Sequence, residues 1–263
     1  MSFISSIAEN AFFNVDRRNY WQCSHYGLKS QSFQYQSPTG DEIGGQILIP
    51  HTSKIKGTIF YCHSAQFNLE FNLPQVAFLC QEGYQVVMFD YAGSGKSTGE
   101  IQLDGLLSDA SAALNWFMVS EFYTPTVTLF AQGVGCDAAL QLYEKYPQAV
   151  NAIVLESPYC TRKGWIIDRW GPVLGHIAAS QLITLSHEPA DVIANVSVPL
   201  LLIYPERDQH THKAQNKAFI QLLPHNAKVW EIAGKKFLGT FGDKPNEWHG
   251  RLIRYLNDLH SKK

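Results

Sequence analysis

Three groups of residues stand where chemistry could be done. His63 and Ser64 are adjacent at the end of an apolar run, and a Ser–His pair can in principle give a base-activated hydroxyl. Neighbouring side chains at a strand end point apart, so His63 reads more simply as a structural histidine bonded to nearby backbone. The run Asp208-Gln209-His210-Thr211-His212 spaces a carboxylate and two imidazoles two residues apart, where an extended backbone puts them on one face. That spacing admits a metal, but a clear fourth ligand is missing and no metal is expected. The third group is 129–136. There the apolar run TVTLF enters a tight turn, Ala131-Gln132-Gly133-Val134-Gly135, and a helical pattern follows. A strand–turn–helix junction of this kind can hold a nucleophile clear of a sheet on strained backbone. Its central residue here is Gly133, which has no reacting atom, while Ala131 and Gly135 keep the room such a turn needs. Cys136 is a poor substitute, because a register that made it the nucleophile would put β-branched Val134 two residues before it, crowding the turn.

The turn must be positioned by a sheet, and the chain has the pattern of one. Apolar runs fall at 31–36, 45–49, 58–62, 85–89, 126–130, 152–155, 200–204 and 228–232. From residue 58 onward they alternate with amphipathic segments at 73–82, 103–122, 135–146, 214–223 and 246–259. This alternation predicts a mostly parallel central sheet of about eight strands, flanked by helices on both faces. The first two runs are expected to pair across the turn Ser37-Pro38-Thr39-Gly40-Asp41. Residues 160–195, with Trp165, Trp170 and several Gly and Pro, fit none of the alternation and are expected to form a small cap over a pocket. Residues 1–30 read as an N-terminal arm. The whole length, 263 residues, suits a single α/β domain with a full core.

Composition excludes several function classes. A net charge of −2 with no Lys/Arg run argues against a nucleic-acid or anionic-membrane partner. No stretch approaches the about 18 uninterrupted apolar residues of a membrane span. The start lacks the basic region and apolar core of a signal peptide, so a cytoplasmic location is expected. Five scattered cysteines without a C-x-x-C pair predict neither a disulfide framework nor a zinc site.

Four motifs fall in one order. Phe60-Tyr61-Cys62-His63-Ser64-Ala65-Gln66 ends a strand where an H-G-x-x loop would stand. Phe89-Asp90-Tyr91-Ala92-Gly93-Ser94-Gly95-Lys96-Ser97-Thr98-Gly99 is close to F-D-Y-R-G-x-G-x-S-x-G. The turn at Gly133 occupies the place of G-x-S-x-G. Pro199-Leu200-Leu201-Leu202-Ile203-Tyr204-Pro205-Glu206-Arg207-Asp208 resembles P-L-L-x-I-H-G-x-x-D. On these residues the chain resembles the α/β-hydrolase superfamily, specifically its compact bacterial esterase and serine-peptidase-like members, from about Gln31 to the C-terminus. The resemblance implies an α/β-hydrolase fold. It also implies Asp208 as the acid of a Ser-His-Asp triad, Gly133 at the nucleophile position, and Ala65 and Val134 as oxyanion-hole-like positions. In the best gapless register the base position, normally His, is Phe237. Phenylalanine has no nitrogen and cannot take a proton.

A triad with neither its nucleophile nor its base loses most of its rate. The resemblance and the two replacements together predict a non-catalytic pseudo-hydrolase that binds a small apolar ligand or a partner, with no cofactor. The expected pocket lies over Gly133, Val134, Ala65, Asp208 and Phe237, with His63 and Ser64 beside it and Trp165 and Trp170 in its roof. Phe237 should make the floor more apolar than a hydrolase's. The alternative is an active esterase, thioesterase or peptidase with a non-standard site around His63, Ser64 and Asp208, for which Ser64 would hydrogen-bond His63 or Asp208. A third reading is a structural protein with a collapsed pocket.

Overall fold

The computed structural model describes residue 7 and residues 10–181, 188–242 and 244–260. Its strands are β1 (Asn14–Val15), β2 (Lys29–Gln36), β3 (Glu42–Ile49), β4 (Thr58–Cys62), β5 (Gln66–Phe67), β6 (Gln85–Phe89), β7 (Val127–Gln132), β8 (Ala152–Glu156), β9 (Leu200–Arg207) and β10 (Lys228–Lys236). The helices are α1 (Leu69–Asn72), α2 (Ala77–Gln81), α3 (Leu106–Val119), α4 (Gly135–Lys145), α5 (Arg162–Trp170), α6 (Pro172–Gln181), α7 (Pro189–Ile193), α8 (Lys213–Gln221) and α9 (Glu247–His260).

Eight strands form one sheet in the order β10-β9-β8-β7-β4-β6-β3-β2. All its pairings are parallel except β2–β3 and β3–β6. This is the α/β-hydrolase fold. Burial of both faces explains why the inner strands read as unbroken apolar runs. Alternate side chains of one strand enter two different cores: Phe60, Leu129 and Ile153 pack on the side of α3 and α4, while Ile59, Phe130 and Val154 pack with Leu252 and Leu256 of α9.

Two local features differ from the sequence pattern. The helix expected over 73–82 is instead a 3-10 turn (Leu73–Gln75) followed by the short α2, with α1 directly before it. Pro74 opens the turn, and Val76 (φ −132, ψ −12) leaves helical geometry. The N-terminal arm carries an unforeseen strand: β1 pairs in parallel with β5, Asn14↔Gln66 and Val15↔Phe67, and straps the arm over the loop after β4. The segment 160–195, expected to form a cap, contains α5, α6 and α7. Its residues 182–187, and residues 1–6, 8 and 9 of the arm, lie outside the described residues. Among the described residues, no helix is long and apolar enough to cross a membrane.

Candidate functional site

Gly133 closes β7 and opens the turn into α4 at φ +55, in left-handed space where a side chain is strained. Its N–H donates to the Glu156 carbonyl oxygen (2.9 Å) and its own carbonyl accepts the Cys136 N–H (3.0 Å), so the turn is pinned at both ends. A Cβ at Gly133 would stand 2.9 Å from Phe237 Cζ, 3.3 Å from Phe237 Cε2 and 3.3 Å from Ser64 Cβ. The ring of Phe237 therefore takes up the space into which a side chain at 133 would grow.

A cavity of about 370 Å³ nevertheless remains open beside Gly133. Ser64, Val134 and Trp165 are among the residues that line it. The partner of Trp165 was not foreseen. Phe12 of the N-terminal arm stacks on Trp165 at 4.3 Å between centroids and meets Tyr159 edge-on at 5.5 Å. The apolar pair Phe12-Phe13 inside a polar arm was the available signal. Ser157 was also missed, because its place in the cavity follows from backbone shape. It sits just past β8 at φ +56, a conformation a residue with a Cβ adopts at a cost on the order of 1–3 kcal/mol.

Several expected members are elsewhere. His63 is fully buried and does not line the cavity. Its ring lies 4.7 Å from that of Tyr91, and its Nδ1 faces the Asn72 amide and the Ala65 N–H, each at 3.3 Å. Burial pulls its pKa down to about 3, so the ring is neutral and weakly basic at physiological pH. The Ala65 N–H is thus turned to the His63 ring and away from the cavity. Trp170 packs at the edge of the core, outside the cavity. Asp208 lines a second cavity, of about 420 Å³, with Lys213 and Lys217 of α8. Its Oδ1 accepts the backbone N–H groups of His210 (2.7 Å) and Thr211 (3.1 Å), while Oδ2 is buried without a partner. Burial raises its pKa above the ordinary value.

His210 and His212 part company. The His210 ring stacks on Phe237 at 4.2 Å inside the first cavity, whereas His212 Nδ1 accepts the Ala214 N–H and caps α8. Among the described residues, no group of three or more His, Cys, Asp or Glu could hold a metal. The Cys136 thiol points to the Glu156 carbonyl (3.4 Å), and burial pushes its pKa well above the ordinary value, so it supplies no thiolate.

The cavity floor is more polar than Phe237 alone led us to expect. Ser64 and Ser157 are 2% and 1% exposed, and neither hydroxyl makes a hydrogen bond of ordinary geometry. Such an orphaned buried group costs about 1–3 kcal/mol. In particular, Ser64 bonds neither His63 nor Asp208. Beneath the floor, Tyr61 donates to Gln132, and Gln132 donates to the carboxylate of Glu156.

Burial drives Glu156 from 4.5 up to about 7, aided by the charge of Asp208. Between those values the folded chain holds a proton that the unfolded chain has released. The stabilising share of Glu156 is therefore fully present below pH 4.5 and is lost as pH rises through about 7. Glu156→Gln, which keeps an acceptor for Gln132, should stabilise the protein above pH 7 by about 1–3 kcal/mol and have little effect at pH 4.5. Urea denaturation of both proteins across that window tests this, and a pH-independent difference contradicts it.

Comparison with known proteins follows the same architecture. The profile of the family described as serine aminopeptidase, S33, matches residues 53–195. The uncharacterized protein YfhR of Escherichia coli K12 is 26% identical over 261 residues, covering 95% of this chain and 86% of that protein. Among solved structures, the Pyrococcus furiosus esterase Pf2001 aligns with a TM-score of 0.77 at 17% identity, covering 94% of this chain and 99% of that one. The alpha/beta hydrolase GrgF from Penicillium sp. sh18 aligns with a TM-score of 0.69 at 15% identity, covering 89% and 99%. At such identities the likeness to the two structures is one of fold.

Proposed function

The chain belongs to the serine aminopeptidase S33 family of the α/β-hydrolase superfamily, and within that family we propose a non-catalytic member that holds a small organic ligand over Gly133. The observation that carries this reading is the 2.9 Å approach of Phe237 Cζ to the Cβ position of residue 133. Phe237 removes the base and also occupies the ground a nucleophilic side chain would need. Glycine at 133 in turn relieves the backbone strain that a serine would carry at φ +55. The open cavity beside Gly133 favours ligand binding over a purely structural role.

Hydrolysis through His63, Ser64 and Asp208 has little behind it. The three do not bond one another, and two of them do not line the cavity. The expected result is that wild-type protein shows no turnover of short-chain p-nitrophenyl esters above the buffer rate. Gly133→Ser combined with Phe237→His restores a hydroxyl and an imidazole together and should raise turnover at least about tenfold, since the two groups act as a unit. Wild-type turnover that falls on Asp208→Ala would sink the reading.

A further inference from the structure

We propose that the ligand of the Gly133 cavity is a small monocarboxylate with an aromatic or aliphatic body, its carboxylate seated on Gly133 between the hydroxyls of Ser64 and Ser157. The inference rests on the non-catalytic reading above and specifies what that site would take. Strand order places the two hydroxyls. β7 lies between β4 and β8, with Cys62 opposite Ala131 and Gln132 opposite Glu156. Ser64 and Ser157, which follow β4 and β8, therefore flank Gly133 on its two sides. Both hydroxyls are buried and both line the cavity; that of Ser64 has no partner in the protein, and that of Ser157 makes no hydrogen bond of ordinary geometry and lies beside the Asp208 carboxylate. A ligand oxygen between them would satisfy both.

The charge of the ligand follows from what else meets at that point. Helix α4, 11 residues long, begins two residues after Gly133, and no side chain caps it. The Cys136 and Asp137 N–H groups are already bonded to the Gly133 and Val134 carbonyls, so the helix contributes through its dipole, whose positive end favours an anion at the floor. The acid in that first turn, Asp137, is already engaged by both Arg162 and Tyr159. Arg169 adds a positive charge at the cavity wall, with its guanidinium 5.9 Å from the Trp165 ring. Against these stand Glu156 and Asp208 below the floor. Burial raises the pKa of each, which weakens the opposing field without removing it. That balance suits one negative charge and disfavours a phosphate dianion. Phe12, Phe13, Tyr159 and Trp165 supply apolar walls for the rest of the molecule. A volume of about 370 Å³ holds one ring with a short chain and little more.

Calorimetric titration of the full chain with 3-phenylpropionate, and with the neutral 3-phenylpropionamide, tests the assignment. The carboxylate is expected to bind at least about tenfold more tightly, the worth of one charge-assisted contact. Ser64→Ala and Ser157→Gly should each weaken the carboxylate by about tenfold while changing amide binding less. Glycine is chosen at 157 because it keeps φ +56 accessible, so a folding failure is avoided there. Amide binding as tight as the carboxylate's, or no binding of either, overturns the monocarboxylate and leaves the non-catalytic reading intact. Hydrolysis of methyl 3-phenylpropionate by the same wild-type sample overturns that reading, and this proposal with it.

Discussion

Asp137→Ala is expected to lower stability by about 3–5 kcal/mol, because it leaves a buried guanidinium without its principal counter-charge. Arg162 and Asp137 are 2% and 1% exposed at their side chains, and they meet bidentately: Nε to Oδ2 at 2.7 Å and Nη2 to Oδ1 at 2.6 Å. Tyr159 donates to the same Oδ2 at 2.6 Å. Glu188, at 3.2 Å from Arg162 Nη1, is 27% exposed and cannot replace Asp137 as a desolvated partner. The network joins α4, directly after the Gly133 turn, to α5, and one of its members, Tyr159, is also a cavity wall. Loss of Asp137 should therefore loosen the roof as well as destabilise the fold. Urea midpoints at unchanged slope give the stability term. A double-mutant cycle with Arg162→Ala gives the coupling, and an additive cycle would show that the pair is not a unit. Replacing both partners by apolar residues of similar volume should cost far less than either single change.

Gly135→Ala should be the most damaging single methyl addition at the site, at roughly 3 kcal/mol, the upper end of overpacking costs. A Cβ at this position would lie 2.1 Å from the Cys62 carbonyl oxygen and 2.4 Å from that of His63. Both obstacles are backbone at the end of β4, so relief requires the sheet and α4 to separate. Gly135 is thus needed for close approach and not for an unusual φ. Gly133→Ala is a milder case, since the atom in the way is the far edge of the Phe237 ring, although its φ of +55 adds strain. Thermal melts of the two variants should rank Gly135→Ala clearly below Gly133→Ala, with a drop from wild type of more than about 5 °C. Equal melting temperatures would mean that the turn tolerates a wider approach than its geometry implies.

The sequence by itself determined a mostly parallel sheet covered by helices, since two-faced burial of parallel strands leaves unbroken apolar runs at 58–62, 85–89 and 126–130, and its four motifs in order carried the resemblance to the α/β-hydrolase fold. It also determined the turn at Gly133 and the need for a small residue at 135, because both are local steric demands of a strand that enters a helix. Tertiary structure alone decided what faces the turn. Phe12 reaches Trp165 across more than 150 residues of chain, a contact set by how β1 docks on β5. Ser157 enters the cavity because β8 lies beside β7 and its backbone turns at positive φ, and strand order is not written in any one strand. His210 and Asp208 are two residues apart in sequence yet line different cavities, one stacked on Phe237 and the other beside Lys213. Spacing specifies which residues share a segment, whereas the side on which each is buried depends on the elements packed around that segment.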